Sequence, residues 1–347
     1  MTRVVAIILH AVPPAGAGPL EAWFADARSS NAAHLARGFA AVGADARIIE
    51  TPGGGPTFGA RLREVAAADP SVGIVILGSG SLPLATRADL RAFVAAAGTP
   101  AGPALANSRY SADAIALPST VDLAALPDLT SDNGLPRWLA DHGVEVRDLR
   151  SRWRLGVDLD SPLDVLLAKR ATARRAAPGN PLLERAVHAT TRIAESAADP
   201  RAELIVAGRT SAATLTWLER HTASRTRALI EERGMRTARP GQRPTRSTLG
   251  LLLDRDGPGT LGQTLAQLGD AAIVDTRVLL AHRLGPDEAS WPPAEDRFAS
   301  DLLLHERIGD PWLKALTESA AAATMPILLG GHTLVGPGLR LLMRGVA

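Results

Sequence analysis

The sequence predicts two α/β domains, of which the first is built on a largely parallel β-sheet. In the first half, short continuous apolar runs alternate with segments of helical period, which is typical of parallel strands covered by helices on both faces. The second half also alternates strand and helix. A chain of 347 residues is long for one domain and sufficient for two. The stretch 170–180 combines several arginines with a Pro-Gly-Asn breaker, which indicates a boundary. We therefore expect a first domain over residues 1–172 and a smaller second domain over residues 181–347.

The first half alternates strand and helix from its start. Ser30 or Asn31 is a suitable helix N-cap, and Gly43 is a suitable helix stop. The predicted strands are 4–8, 46–49, 72–77, 104–107, 112–117 and 144–149. The predicted helices are 30–42, 58–67, 87–97, 134–141 and 162–171.

The second half repeats this rhythm and predicts a small α/β domain. Its predicted strands are 203–206, 249–253, 271–274 and 326–329. Its predicted helices are 182–198, 212–220, 225–233, 261–268, 311–323 and a short one from Pro337. The polar stretch 237–246 contains two prolines and a glycine, so we expect a loop there.

The composition excludes several classes of protein. There is no cysteine, so disulfides and thiolate metal sites are ruled out. No apolar run reaches the length of a membrane span, so we expect no membrane partner. The first predicted strand begins at Val4 with no basic segment before it, so we expect no signal peptide and a cytoplasmic protein.

The charge distribution gives no sign of a nucleic-acid partner. The formal net charge is only +2, whereas nucleic-acid binding requires clustered cations. The nearest cluster, Lys169-Arg170 with Arg174-Arg175, is better interpreted as a solvated linker. Aromatic residues make up 3% of the chain, which disfavours a stacking platform for single strands. The sequence carries no signal for an oligomeric state.

The segment 155–165, LGVDLDSPLDV, is the most informative in the chain. Asp158 and Asp160 alternate on a predicted short strand and would point to the same face. A Ser-Pro turn follows, and a helix then begins with Asp164 in its first turn. Two carboxylates aimed one way repel each other unless a cation or a donor lies between them. Because Mg²⁺ prefers oxygen ligands, we predict a magnesium site with Asp160 as the main ligand and Asp158 or Asp113 assisting.

This segment resembles the D-x-D-[ST]-P-x-D element of nucleotidyltransferase domains of the GT-A type, which include molybdenum cofactor guanylyltransferase and phospholactate guanylyltransferase. The apolar run 72–77 and the following GSGSLPL at 78–84 are similar to the family's central strand and its D-x-P-L element. The resemblance covers about residues 1–170, and the second half resembles no family that we identify. It implies a Rossmann-like GT-A sheet, Mg²⁺ as cofactor, and a nucleotide and a small-molecule acceptor as ligands.

Two departures from the family pattern concern the expected site. Ser81 stands where the family carries a metal-binding aspartate before x-P-L. The loop 10–19 lacks the arginine and lysine that hold the nucleotide phosphates in the family. Its glycines, Gly16 and Gly18, would then face the nucleotide and offer only backbone N–H groups to phosphate.

A polar loop at 107–113, NSRYSAD, follows a predicted strand. Polar residues at the carboxyl end of a parallel strand lie in the ligand crevice of open α/β sheets. Asn107 could contact a base or a ribose, Tyr110 is the chain's only tyrosine, and Asp113 could face the metal. An ordinary turn with polar caps explains the loop equally well.

Two further motifs lie in the second half. Residues 208–211, GRTS, follow a strand and open a helix, so they could hold a phosphate or simply cap the helix. Asp275 at a strand's end and His332 in a glycine-rich loop are candidates for a metal site, although their spacing matches no known metal motif.

The resemblance implies transfer of a nucleoside monophosphate from an NTP to a phosphate or hydroxyl acceptor, with release of pyrophosphate. One alternative is a catalytically inactive domain that binds a nucleotide or a phosphorylated metabolite, which Ser81 and the missing cations motivate. Another is a metal-dependent enzyme centred on the second half, with Asp275 and His332.

Overall fold

The structure is a computed structural model that describes residues 2–52, 55–110, 112–129, 131–172, 180–234 and 243–344. The chain forms two compact units. The first comprises the residues up to Ala17 together with Ala22–Leu159, and the second comprises Gly18–Glu21 together with the residues from Asp160 onward. Within the described ranges, no helix combines the length and the apolar character needed to cross a lipid bilayer.

The first unit contains a six-stranded sheet. Its strands are β1 (Val4–Ala11), β2 (Asp45–Thr51), β3 (Gly73–Gly78), β4 (Ala104–Ala106), β5 (Ala114–Leu117) and β6 (Val146–Asp148). They lie in the order β2-β1-β3-β5-β4-β6. β5 runs antiparallel to both of its neighbours, and the other pairs are parallel. The predicted largely parallel α/β fold of the first half is therefore confirmed.

Helices cover both faces of this sheet. They are α1 (Pro19–Ala40), α2 (Phe58–Ala68), α3 (Arg87–Ala97) and α4 (Leu135–Asp141). Successive residues of β1 point to opposite faces, so Ile8 packs in one core cluster with Phe39 of α1, while Ile7 packs in another with Leu62 of α2. Both faces are buried, which explains why these strands read as continuous apolar runs.

The first helix is longer than predicted. α1 begins at Pro19, a residue favoured at the first helical position, and Glu21 lies in its first turn. Asn31 is therefore inside the helix and does not cap it. This difference matters for the site, because it places residues 28 and 31 on the same helix.

The second unit contains a four-stranded parallel sheet in the order β10-β9-β7-β8. These strands are β7 (Glu203–Gly208), β8 (Arg225–Ile230), β9 (Ala271–Asp275) and β10 (Ile327–Gly330). The helices are α5 (Pro162–Thr172), α6 (Glu184–Ala198), α7 (Ala212–His221), α8 (Thr248–Asp256), α9 (Leu261–Ala266), α10 (Thr276–Leu284), α11 (Ala294–Asp301), α12 (Pro311–Ala321), α13 (His332–Val335) and α14 (Gly338–Leu342). A second α/β domain is thus confirmed, and α10, α11 and α13 were not predicted.

The helix predicted over 225–233 is wrong, since this segment forms the edge strand β8. Exposed and partly buried residues alternate along it: Arg225 and Arg227 are exposed, and Thr226 and Ala228 are partly buried. This two-residue period is that of a β-strand. Both arginines contact Glu203 of β7, at 3.5 and 2.8 Å. Cross-strand ion pairs therefore replace the apolar alternation by which a strand is normally recognised.

The strand predicted over 249–253 is also wrong, because the segment lies in helix α8. The side chain of Ser247 accepts a hydrogen bond from the N–H of Gly250 and so caps the helix. Leu249, Gly250 and Leu253 are buried at helical spacing, while Leu251 is exposed. The run of leucines conceals this one-sided pattern.

The division between the units falls at Leu159 and Asp160, earlier than the predicted boundary. Helix α5 belongs to the second unit because it packs there, with Leu163 against Gly330 and Leu167 against Gly338. Most of the predicted linker, 173–179, lies outside the described residues. Most of the predicted loop at 237–246 does so as well.

Candidate functional site

The carboxyl ends of β1 and β3 form a topological switch point in the first unit. From β1 the chain adds β2 on one side and β3 on the other. Ligands of open α/β sheets bind outside the carboxyl ends of the strands at such a point. His10 near the end of β1 and Ser79 just after β3 lie here, and the Ser79 N–H donates to the Leu9 carbonyl at 2.8 Å. This edge is where the first unit should hold a ligand.

Ser79 is at the centre of a polar network at this edge. Its buried hydroxyl lies 3.1 Å from His10 Nδ1 and accepts a hydrogen bond from Arg28 Nε at 3.2 Å. Asn31 Nδ2 donates to the carbonyls of Ser79 and Ser81, at 2.9 and 3.0 Å. Arg28 and Asn31 are three residues apart on α1 and so share one face of the helix. Helix α1 therefore holds the turn 79–81 in place.

Arg28 supplies a positive charge that the loop after β1 lacks. Its guanidinium carbon lies 5.6 Å from the ring centre of Phe24, one helical turn earlier, which helps to hold it in position. Nε is engaged by Ser79, but neither terminal nitrogen donates a hydrogen bond to any residue that the structure describes. A guanidinium presents a planar fork of donors that matches phosphate oxygens. Arg28 can therefore hold a phosphate group.

His10 adds a neutral ring beside this cation. Burial lowers the pKa of His10, and the neighbouring positive charge of Arg28 lowers it further, against a smaller opposite effect of Glu50. The ring is accordingly neutral at pH 7. The Ser79 hydroxyl accepts from Arg28 and lies 3.1 Å from His10 Nδ1, so it links the imidazole ring to the guanidinium.

These residues were not identified as site residues from the sequence. The sequence predicts a helix that begins at Ser30, so Arg28 lies outside every predicted helix. Pro19 with Glu21 two residues later is the signal that marks the true helix start. A helix that begins at Pro19 includes Arg28 and follows the first strand of the sheet.

The two elements of the family resemblance meet at Gly80. Ser81 and Asp158 form an isolated antiparallel β-bridge, and the Leu159 N–H donates to the Gly80 carbonyl at 3.0 Å. A Cβ atom on Gly80 would lie 3.0 Å from Asp158 Oδ1 and 3.2 Å from Arg28 Nε. A carboxylate and a guanidinium thus approach the same glycine. The strand predicted through Asp158 and Asp160 is not formed beyond this bridge.

Asn107 closes the loop that follows β4. Its Nδ2 donates to Asp113 Oδ2 and to the Leu155 carbonyl, at 2.9 and 3.0 Å, and its Oδ1 accepts from the Ala114 N–H at 3.2 Å. The side chain is buried. Asn107 therefore holds the loop together with both amide hydrogens in use, and its contact with a nucleotide stays a prediction.

The residues predicted to bind Mg²⁺ have different surroundings. Asp160 is exposed in the second unit, and Asp158 and Asp113 lie in the first. The Asp113 carboxylate accepts from Asn107, and the Ser81 hydroxyl donates to the Asp113 carbonyl at 3.0 Å. In the described part of the chain, no three histidine or carboxylate side chains are grouped to hold a metal ion. This donor set does not fit Mg²⁺ held by protein carboxylates, and Mg²⁺ binding stays a prediction.

The two glycines predicted to face the nucleotide have other local roles. Gly16 has a φ of +84° in the turn closed by the Ala17 N–H and the Pro14 carbonyl, where a glycine is favoured. Gly18 belongs to the second unit and is approached closely by the Glu295 side chain. The Glu295 carboxylate accepts hydrogen bonds from the N–H groups of Leu20 and Glu21. A carboxylate of the protein therefore occupies the start of α1.

Tyr110 lies in the loop after β4 and is 64% exposed. The guanidinium of Arg150 lies 5.5 Å from the centre of its ring. Because β5 runs antiparallel to β3 and β4, this loop lies at the same sheet edge as Ser79. The ring is available for stacking, and its contact with a nucleotide stays a prediction.

The second unit has a switch point of the same kind between β7 and β9, but a buried ion pair fills it. Arg209 Nε and Nη2 donate to the two carboxylate oxygens of Asp275, at 2.6 and 3.0 Å, and both residues are buried. Arg209 is therefore not available to a phosphate, nor Asp275 to a metal. His332 is exposed at the start of α13. Among the described residues, no group of three histidine or carboxylate side chains could hold a metal ion, and the metal site suggested for Asp275 and His332 stays a prediction.

The hydroxyl groups that follow Arg209 have structural roles. Ser211 accepts from the Thr214 N–H at 3.1 Å and caps α7, while the Thr210 hydroxyl donates to the Val335 carbonyl. The capping interpretation of the 208–211 motif is thus the correct one.

The last aspartate of the segment 155–165 also has a structural role. Asp164 is buried, and its Oδ2 accepts from the Ser161 hydroxyl at 2.9 Å and from the Asp160 N–H at 3.1 Å. Burial raises the pKa of Asp164 well above its ordinary value, and the carboxylates of Asp160 and Asp301 raise it further. Ser161 and Asp164 together cap α5.

Comparison with known proteins gives two weak structural likenesses. No protein family and no curated protein matches the sequence. One solved structure, provisionally described as a nucleotide-diphospho-sugar transferase from Desulfovibrio desulfuricans G20, is similar with a TM-score of 0.31 and 12% identity over 43% of this chain and 80% of that chain. Rv0371c from Mycobacterium tuberculosis H37Rv is similar with a TM-score of 0.29 and 17% identity over 43% of this chain and 87% of its own. With TM-scores of this size, neither likeness supports an inference about this chain.

Proposed function

We propose that the first unit binds a nucleotide through its phosphates at the carboxyl ends of β1 and β3. The observation that carries this proposal is the position of Arg28. Its guanidinium is held at the switch point by Ser79 and Phe24, and its terminal nitrogens donate to no described residue. A cation held in place at this edge, with donors not used by the described residues, is what a phosphate group requires.

Neighbouring groups support the same ligand. The absence of a side chain on Gly80 lets the backbone of residue 159 and the side chains of Asp158 and Arg28 come close together at this turn. His10, whose pKa is lowered by burial and by Arg28, adds a polar ring beside the cation without adding a second charge. Tyr110, exposed at the same edge, would supply a stacking surface for a base.

Nucleotidyl transfer is the second candidate, and the bridge between Ser81 and Asp158 favours it because it joins the two segments that resemble that family. In this reaction an acceptor oxygen attacks the α-phosphorus of an NTP and forms the new P–O bond. The bond from that phosphorus to the oxygen bridging to the β-phosphate breaks, and its electron pair leaves with pyrophosphate. Arg28 would balance negative charge on the phosphates during the attack.

The binding proposal is tested with a thermal-shift screen of ATP, GTP, CTP and UTP against the full chain. A ligand at one hundred times its Kd should stabilise the folded state by about 2.7 kcal/mol. Arg28→Gln should abolish the shift. Arg37→Gln is the matched control, because Arg37 lies exposed on the same helix. If no nucleotide shifts the wild type, or if both variants respond as the wild type does, the proposed site is wrong.

The transfer proposal is tested separately. The full chain is incubated with each NTP and a set of sugar phosphates and phosphorylated hydroxy acids, and pyrophosphate release is measured. Release that depends on both substrates would support transferase activity. Nucleotide binding without release under any of these conditions would support the inactive, binding-only alternative.

A further inference from the structure

The positive charge at the candidate site is a guanidinium that the fold holds in place. Arg28 Nε donates to the Ser79 hydroxyl at 3.2 Å, and the ring of Phe24 lies beside the guanidinium. Phe24 itself is buried, so this support is rigid. The same Nε would lie 3.2 Å from a Cβ atom on Gly80, which places the cation directly at the turn that follows β3.

Protein donors contact the carboxylates at the same turn. The Ser81 hydroxyl donates to the Asp113 carbonyl, and Asp113 Oδ2 accepts from Asn107. Asp158 Oδ1 accepts from the Leu159 N–H at 3.0 Å. A protein-held divalent cation usually needs one or two carboxylates directed at it, and no three histidine or carboxylate side chains among the described residues are grouped in this way.

These two observations point to one consequence. We propose that Arg28 takes the part of the divalent cation in holding phosphate, so that the first unit binds a nucleoside di- or triphosphate in its metal-free form. This proposal rests on the proposed nucleotide site and adds the ionic form of its ligand. A guanidinium holds two phosphate oxygens through two parallel hydrogen bonds and needs no carboxylate ligands of its own.

The experiment is isothermal titration of the full chain with GTP and with ATP, once in excess EDTA and once in excess MgCl₂ at matched ionic strength. Binding in EDTA should be at least as tight as binding in MgCl₂, because Mg²⁺ neutralises the charge that Arg28 recognises. Arg28→Gln should weaken binding in EDTA by about tenfold or more, since a charge-assisted hydrogen bond is lost. The Kd of Arg28→Lys in EDTA should lie between those of the wild type and Arg28→Gln. Lysine keeps the positive charge but lacks the planar fork of donors.

Controls make the outcomes distinguishable. Arg37→Gln should bind as the wild type does, and circular dichroism should show that each Arg28 variant is folded. Even if a variant fails to fold, the affinities of the wild type in EDTA and in MgCl₂ show whether the nucleotide binds in its metal-free form. Binding that appears only with Mg²⁺ and is lost in Asp158→Asn would overturn this inference and leave the nucleotide site standing. No binding of either nucleotide in either condition would overturn both.

Discussion

Ser81 and Asp158 pair through an isolated antiparallel β-bridge, so two segments far apart in the sequence meet beside Gly80. The bridge is short, and Leu159 extends it by donating its N–H to the Gly80 carbonyl. The position of the Asp158 carboxylate therefore depends on how closely the backbone at residue 80 approaches residues 158 and 159. This close approach requires that residue 80 has no side chain, so a substitution at Gly80 tests it directly.

Gly80→Ala should disrupt the bridge. The added Cβ would lie 2.7 Å from the Leu159 carbonyl oxygen, closer than such atoms normally come, so the backbone must move. We expect a loss of about 1–3 kcal/mol in the free energy of unfolding, measured by urea denaturation, and weaker nucleotide binding. Gly259→Ala is the control, since a Cβ there meets no atom within 4 Å. A Gly80→Ala variant as stable as the control would show that the approach at Gly80 is not tight.

Asp89 should make the stability of the chain sensitive to acid. Burial alone would raise its pKa, but hydrogen bonds from Thr86, Arg154 and Arg152 outweigh burial and lower it from 3.8 to about 2. Because the folded pKa lies below the unfolded one, the stabilisation is present above about pH 4 and is lost as the pH falls towards 2. Asp89→Asn should lower the free energy of unfolding at pH 7 by about 2 kcal/mol.

The measurement for Asp89 is urea unfolding of the wild type and the variant between pH 2 and pH 7. The difference between them should shrink as the pH falls through this window. A constant difference at all pH values would mean that the pKa of this carboxyl is the same in the folded and the unfolded chain. The result bears on the site, because Arg152 and Arg154 lie on the segment that leads to Asp158.

Much of the fold could be predicted from the sequence, because the buried strands of both sheets are apolar runs with clear ends. β8 was missed because it is an edge strand whose arginines pair with Glu203, and α8 was missed because its leucines form an unbroken run. The site was predicted only in part. The meeting of Ser81 and Asp158 agrees with the resemblance, which places both segments in one domain.

The cation of the proposed site could not be located by a motif search. Arg28 lies within α1, well after the loop in which the family carries its basic residues, and only the helix start at Pro19 reveals its place. The unit division that falls between Asp158 and Asp160 was equally hidden, because nothing in their spacing shows that a compact unit begins there.

The pair Arg277–Asp301 should be essential to the stability of the second unit. Two hydrogen bonds of 2.5 and 2.6 Å join the guanidinium to the carboxylate, and both residues are buried. Asp301→Asn would leave the Arg277 charge buried without its partner, so we expect a loss of about 3–5 kcal/mol. Glu306→Gln breaks the exposed pair with Arg185 and should cost below about 1 kcal/mol. If thermal unfolding shows that both variants lose the same stability, the Arg277–Asp301 pair is not buried as the structure describes it.

Asp164 should make the stability of the chain depend on pH in the opposite direction from Asp89. Its folded pKa is raised by burial and by the carboxylates of Asp160 and Asp301. A raised pKa means that stability is full below the ordinary value of 3.8 and is lost as the pH rises towards the folded pKa. An amide carries no charge, and its oxygen can accept from Ser161 and from the Asp160 N–H as Oδ2 does. Asp164→Asn should therefore be more stable than the wild type at pH 7, by about 1 kcal/mol or more, and equal to it near pH 3.5.

The control for Asp164 is Ser161→Ala, which removes a donor to the carboxyl and the cap of α5. This variant should be less stable than the wild type by about 1 kcal/mol. The two substitutions lie three residues apart in the same cap, so opposite signs in urea unfolding at pH 7 would separate the cost of burying the charge from the value of the cap. If Asp164→Asn also loses stability at pH 7, the carboxyl is ionised in the folded protein, and the Asp164 Oδ1 atom, which has no hydrogen-bond partner among the described residues, must be stabilised by another group.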